Sequence, residues 1–291
     1  AASSLTDVSG LWWACIEGSV YVWERQCDRG IEAPNRPFRA ISALVGFGRS
    51  FARGVGDTPP PLPGDAIAPP RRVLSELETA DILTKAGVPM VPGRLANSAG
   101  EAAQAAMEAG YPVALKIASP DIRYKMDIGG VKLDLRSVDA VRAAYQDIMA
   151  AVAKRAGDAD IEGVMVASMV SDAVETIIGV RRDPVFGPVV LFALGGILAE
   201  ALGDVTFRIA PFGLDEAYRM IDEVRGRDLL DGMRGQPPAD IDALAQALSR
   251  LSVYAAAHGD VIESIDINPL LIRAKGEGAV AVDAMILMQP E

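Results

Sequence analysis

Residues 111–131 of this 291-residue chain read YPVALKIASPDIRYKMDIGGV. The run opens with Val113, Ala114 and Leu115, has strand character, and then places a single lysine, Lys116, before Ile117. An ammonium group inside an apolar strand is costly to bury unless an anion meets it. Further on come Gly129 and Gly130, where the backbone can approach a ligand closely because no Cβ intervenes. A point-charge lysine on a strand, followed by a paired-glycine turn, suits a polyphosphate. Taken alone, the stretch equally allows a snorkelling lysine on an edge strand and an ordinary hairpin glycine pair. The rest of the chain has to decide between them.

Half of the residues are apolar, ample for a core, and the length fits one large or two smaller domains. The formal net charge is -11 with no basic block to offset it, which argues against nucleic acid and anionic membrane as partners. An anionic ligand would therefore need local positive groups such as Lys116. The two cysteines, Cys15 and Cys27, have no metal-ligand spacing. With no signal-like start, a reducing cytoplasm is the expectation. The longest apolar run, 189–199, is too short to span a bilayer. A start at Ala1 without methionine reads as a chain processed, cloned or cut from something longer.

Residues 1–55 hold all three tryptophans (Trp12, Trp13, Trp23) and both cysteines. About 50 residues make an insecure independent core, so this stretch reads as the tail of another domain. Residues 56–72 are proline-rich and read as a semi-rigid linker. The main domain, 73–291, opens at Ser75-Glu-Leu-Glu78 with capping-box spacing, and Ser98 to Glu101 repeats it. Ser137 caps a third helix running to about Arg155, after the alternating VKLDL. Strand patterns follow at 163–169, 174–180 and 188–194, then helices near 215–224 and 241–257. Alternation returns at 261–267 and 279–288. This order predicts an α+β (α/β) fold of two lobes.

The C-terminal segment SIDINPLLIRAKGEGAVAVDAMI places Asp266, Asn268 and Asp283 on two adjacent strands joined by a KGEG turn. A hairpin there sets Asn268 against Asp283, and hard oxygen donors in that arrangement suit Mg²⁺ carried by phosphates. Asn-Pro as a turn and Asp283 as a solvated strand residue is the plainer reading. Yet Asp283 has apolar neighbours on both sides, and a carboxylate there calls for a cation. Glu175, Glu200 and Arg208 interrupt apolar runs, and singly each reads as a surface charge. His258, the one histidine, precedes Gly259 and reads as a helix-terminal residue favoured by the dipole.

At this point the residues carry a resemblance. LKIASPDI…GGVKL, ETIIGVRRDPVFGPVV, ALGGILAEALGDVTFRIAP and IDINPLL…AVDAMI make residues 74–291 similar to the ATP-grasp, or β-type, part of the NDP-forming acyl-CoA synthetases. These include ADP-forming acetyl-CoA synthetases and relatives of succinyl-CoA synthetase. Residues 17–51 resemble the end of the CoA-ligase domain that precedes this part in fused members.

The resemblance implies a two-lobed ATP-grasp fold that binds ATP or ADP with Mg²⁺. It implies the reaction acid + ATP + CoA to acyl-CoA + ADP + phosphate, with CoA and a phosphohistidine carried by a separate α-type domain or subunit. Position by position, Lys116 would hold the phosphates and Gly129-Gly130 would form the phosphate loop. Adenine would lie on backbone around Val166, Ala167 and Met169, and Glu175 would face the ribose or base. Asn268 and Asp283 would bind Mg²⁺, and Arg208 joins Lys116 as a catalytic candidate. Two departures stand out. Ala167 and Ser168 occupy hinge positions where the family usually has glutamine or glutamate. Tyr124 stands where members commonly have a histidine that relays the phosphoryl group in some of them. The alternative class is therefore a catalytically silent nucleotide-binding module with a regulatory or structural task.

Overall fold

The computed structural model describes residues 56–122, 125–195, 203–232, 235 and 237–290, together with 41, 44 and 45. Two compact units divide the chain, Ala1–Gly56 and Asp57–Glu291. The expectations for the tryptophans, the cysteines, Tyr124 and Glu200 lie outside the described residues.

The second unit contains two sheets. The first is built from β1 (Gly93–Ala96), β2 (Val113–Ala118), β3 (Val131–Leu135) and β4 (Gly163–Ser168), in the order β1-β4-β2-β3. Helices α2 (Ala99–Ala109) and α3 (Val138–Arg155) supply the apolar side chains that cover it. Alanines 102, 103, 105 and 106 of α2 are buried, and their small side chains allow close helix packing. From α3, Val141, Ile148 and Val152 meet Leu115, Ile117, Val164 and Val166 in one core.

The second sheet runs β10-β8-β5-β6-β7, with β9 paired to β8. Its strands are β5 (Val174–Asp183), β6 (Gly187–Leu194), β7 (Val205–Ile209), β8 (Ile262–Ile272), β9 (Ala279–Ala281) and β10 (Ala284–Met288). Helices α1 (Glu76–Lys85), α4 (Leu214–Asp222) and α5 (Ile241–Ala257) share its core, and a 3₁₀ turn spans Arg227–Asp231. All the named strand pairs are antiparallel.

Local chemistry explains the element starts. Ser75 and Glu78 form the expected capping box at α1. At α2 the pattern is altered: Ser98 accepts from the Glu101 amide, but the Glu101 carboxylate accepts from the Asn97 amide, one residue further back. Asp240 caps α5 through Ala243 and also accepts from the amides of Gly276 and Gly278, so one carboxylate holds a helix start and the KGEG turn together. β1 and β7 were not expected from the pattern. Each is a short edge strand, too brief to establish a period.

Residues 57–67 lie on the second unit and do not stand clear of it. The Asp57 carboxylate accepts from the amides of Leu214 and Asp215 at the start of α4. Arg250 donates to the Pro61 carbonyl and the Tyr254 hydroxyl to that of Ile67. His258 sits at the C-cap of α5, edge-on to Tyr254 at 4.7 Å. Burial lowers its pKa, with Asp260 opposing.

Candidate functional site

Lys116 lies on β2, an inner strand whose six residues are all buried, and is itself 7% exposed. It therefore does not snorkel from an edge. Its ammonium donates to the Val282 carbonyl at 2.7 Å, and lies 3.7 Å from Glu76 Oε1 and 3.8 Å from Asp283 Oδ2. Lys125 joins it, hydrogen-bonded to Glu76 and 3.7 Å from Asp283 Oδ1. Two lysines and two carboxylates thus form a neutral, largely buried cluster where the first sheet meets α1 and the β9–β10 connection. Burial pulls the Lys125 pKa down, but Glu76 and Asp283 more than offset it, leaving the ammonium above its ordinary value.

The cluster lies along a cleft of about 880 Å³ whose lining includes Arg71, Arg72, Glu76, Lys125, Asp266, Asn268 and Asp283. Asn268 and Asp283 are adjacent through backbone, the Asn268 amide donating to the Asp283 carbonyl at 3.1 Å and the Val282 amide to that of Pro269. The KGEG turn does set the two residues face to face. Asp266 opens to solvent in the same cleft, and desolvation by the cleft walls, with the charge of Asp283, holds its carboxyl above the usual aspartate range.

Among the described residues, no group of three or more His, Cys, Asp or Glu is arranged around a metal position. One carboxylate and one carboxamide on a cleft wall still fit Mg²⁺, which keeps few protein ligands and takes the remainder from water and phosphate oxygens. The cleft thus combines the Lys125 ammonium with hard oxygen donors for a cation, while Lys116, which does not itself line the cleft, meets the same two carboxylates.

The ATP-grasp domain family matches residues 65–288. The chain belongs to the ATP-grasp family. It is 40% identical over 225 residues to the acetate–CoA ligase (ADP-forming) II subunit beta of Pyrococcus furiosus, covering 77% of this chain and 95% of that one. To the acetate–CoA ligase (ADP-forming) I of Archaeoglobus fulgidus it is 42% identical over 203 residues, 70% of this chain but only 29% of that protein. Among solved structures it resembles dinucleotide-forming acetyl-coenzyme A synthetase 1 of Candidatus Korarchaeum cryptofilum in complex with coenzyme A and Ca-AMPCP. There the TM-score is 0.71 at 42% identity, over 74% of this chain and 93% of that one. A second structure of that synthetase, with coenzyme A and Mg-AMPPCP, has its phosphohistidine segment pointing towards the nucleotide-binding site. It matches at TM-score 0.63 and 38% identity, over 74% and 92%. These relatives place the ATP-grasp chain with the β parts of the ADP-forming acid–CoA ligases.

The remaining ATP-grasp candidates fall elsewhere. Gly129 and Gly130 close the turn that carries Lys125, with their amides donating to Met126 and Lys125 carbonyls inside it. A Cβ on Gly130 would come 2.6 Å from Ile117 Cγ2, so close packing accounts for glycine there. Val166 and Ala167 lie on β4, between β1 and β2, and pair with both strands. The Met169 amide donates to the Pro112 carbonyl and its sulfur accepts from the Asp134 amide. Glu175 is the second residue of β5, paired with Leu271, while its carbonyl accepts from the Gly195 amide. Arg208 on β7 pairs with Glu216 at 2.5 Å and Glu223 at 2.8 Å on and just after α4. Partial burial lowers the Arg208 pKa, but these two carboxylates leave it raised. None of these residues lines the cleft that Lys125 and Asp283 share.

Glu76 and Lys125 were not singled out from sequence. Glu76 sits inside a capping box and reads there as a helix-start acid. Lys125 had a usable signal, since it directly precedes the glycine turn on the same segment as Lys116.

Proposed function

We propose that this ATP-grasp chain binds Mg·ATP or Mg·ADP with its phosphates on Lys116 and Lys125 and its metal on Asn268 and Asp283. The reaction served is acid + ATP + CoA to acyl-CoA + ADP + phosphate. The observation that supports this is the meeting of two ammonium groups with Asp283, adjacent to Asn268, beside a cleft that Lys125, Asn268 and Asp283 line and Lys116 does not. In the nucleotide complex, Lys116 and Lys125 exchange the Asp283 carboxylate for phosphate oxygens, and stay in place through Glu76 and the Val282 carbonyl. Bound Mg²⁺ would neutralise charge that builds on the transferred phosphoryl group.

The terminal phosphoryl group then passes to a histidine of an α-type partner, as its bond to the bridging oxygen of ADP breaks. From that histidine it goes to the acid's carboxylate, and the CoA thiol displaces phosphate to give the thioester. This reading assigns the histidine and the CoA pocket to the partner. Purified alone with a small acid, CoA and ATP, the chain should form no acyl-CoA. Adding an α-type domain should start turnover. Thioester from the chain alone would contradict the division of labour, and none after adding a competent partner would favour the silent module, the reading that Tyr124 supports.

A further inference from the structure

We propose that Glu76 is a positioning residue, fixing the ammonium groups of Lys116 and Lys125 for a polyphosphate. It occupies the first turn of α1, where the capping box fixes the helix start: Glu78 folds back to the Ser75 amide and leaves Glu76 free to face the cleft. Its side chain is 11% exposed, against 9% for Lys116 and 12% for Lys125, and each of its oxygens takes one lysine. Asp283 is the other counter-charge, at 3.7 and 3.8 Å, and is itself 38% exposed.

This inference rests on the nucleotide reading above. With Mg²⁺ and phosphates bound, Asp283 would hold the metal, and Glu76 would be the carboxylate left between two like charges. Without it, two flexible lysine stems repel each other and must be ordered by the ligand, which costs affinity. Glu76 also repels phosphate, so the effects oppose each other. Positioning predicts weaker binding on its removal, whereas charge alone predicts tighter binding.

The test is calorimetric titration of the full chain with ADP, with and without Mg²⁺. Glu76→Gln should weaken ADP about tenfold in both conditions, and Glu76→Asp, which keeps the charge but shortens the reach, should fall between it and the parent. In a Lys125→Met background Glu76→Gln should cost clearly less than in the parent, because only its contact with Lys116 remains and a residue acting through another is not additive with it. Asp81→Asn removes a carboxylate of the same helix that pairs with Lys85 outside the cleft, and should bind like the parent. Should Glu76→Gln fail to fold, as melting would show, Glu76→Asp carries the test. Unchanged or tighter binding by the Glu76 variants, or an additive double variant, overturns the inference alone. A parent chain that binds no ADP overturns it together with the nucleotide reading.

Discussion

The ammonium of Lys116, on the inner strand of one sheet, is fixed 2.7 Å from the carbonyl of Val282, between two strands of the other. One hydrogen bond therefore ties the two halves of the cleft at its charged end, and places the lysine one residue from Asp283. The contact explains how an ammonium can occupy a fully buried strand: it is met by a carbonyl and two carboxylates from across the cleft.

Lys116 and Asp283 should separate when varied. Lys116→Ala removes a charged hydrogen-bond donor to phosphate, worth about 1.5–3 kcal/mol, so nucleotide should bind roughly ten- to hundredfold more weakly with or without Mg²⁺. Asp283→Asn should weaken binding only when Mg²⁺ is present. Titrations of both variants that match the parent would show the site to be misplaced.

Gly130→Ala tests the turn under Lys125. The added methyl meets Ile117 Cγ2 at 2.6 Å and the Lys125 carbonyl at 3.0 Å. Overpacking of this kind costs about 1–3 kcal/mol. The variant should melt at lower temperature and bind nucleotide less well, because the displaced backbone belongs to Lys125. An unchanged melting curve would mean that the turn yields freely.

Asp240 should give the second lobe an acid-sensitive joint. Desolvation raises its pKa, but the amides of Ala243, Gly278 and Gly276 outweigh that and hold it below the ordinary aspartate value of about 3.9. Its contribution is therefore complete above about pH 4 and is lost as pH falls through the lower folded value. Asp240→Ala should cost about 2–3 kcal/mol at neutral pH, from a lost cap and unpartnered amides. The stability difference between parent and variant, followed by denaturant titration, should shrink in acid. A difference independent of pH would contradict the assignment.

Tyr124 should not carry a phosphoryl group. A phenol of pKa near 10 is a weak nucleophile at neutral pH, and its ester does not pass the group on readily, unlike an imidazole of pKa about 6.5. With an α-type partner supplied, Tyr124→His should change turnover little if the partner's histidine reaches the nucleotide unaided. A nearly inert parent rescued by Tyr124→His would instead show that a relay is required. Phosphotyrosine at this position after incubation with labelled ATP would contradict the chemistry.

Much of this was legible because the relevant patterns are local. The periodic segments gave the long helices: 241–257 matches α5 residue for residue, and Ser137 caps α3 as its spacing requires. Lys116 and Asp283 were legible because each is a charge placed where burial would be costly without a partner. The partners themselves were not. Glu76 and Lys125 meet across 49 residues, and nothing in a capping-box sequence says which of its acids faces inward. The partners of Arg208 were not legible either, since Glu216 on α4 and Glu223 just after it reach β7 through docking that no local pattern reveals. The amides of the glycine pair donate within their own turn, and the proximity of Ile117 to Gly130 is a packing reason for glycine that no local pattern shows.

The central claim is that the cleft lined by Lys125, Asn268 and Asp283, with Lys116 on the same carboxylates, holds Mg-nucleotide. Its most direct test is the melting temperature of the full chain with ADP and Mg²⁺, each alone and together. Ligand at 100 times its Kd should stabilise the fold by about 2.7 kcal/mol, so melting should rise with Mg·ADP in the parent and much less in Lys116→Ala. No shift in the parent with millimolar nucleotide and Mg²⁺ would contradict the account.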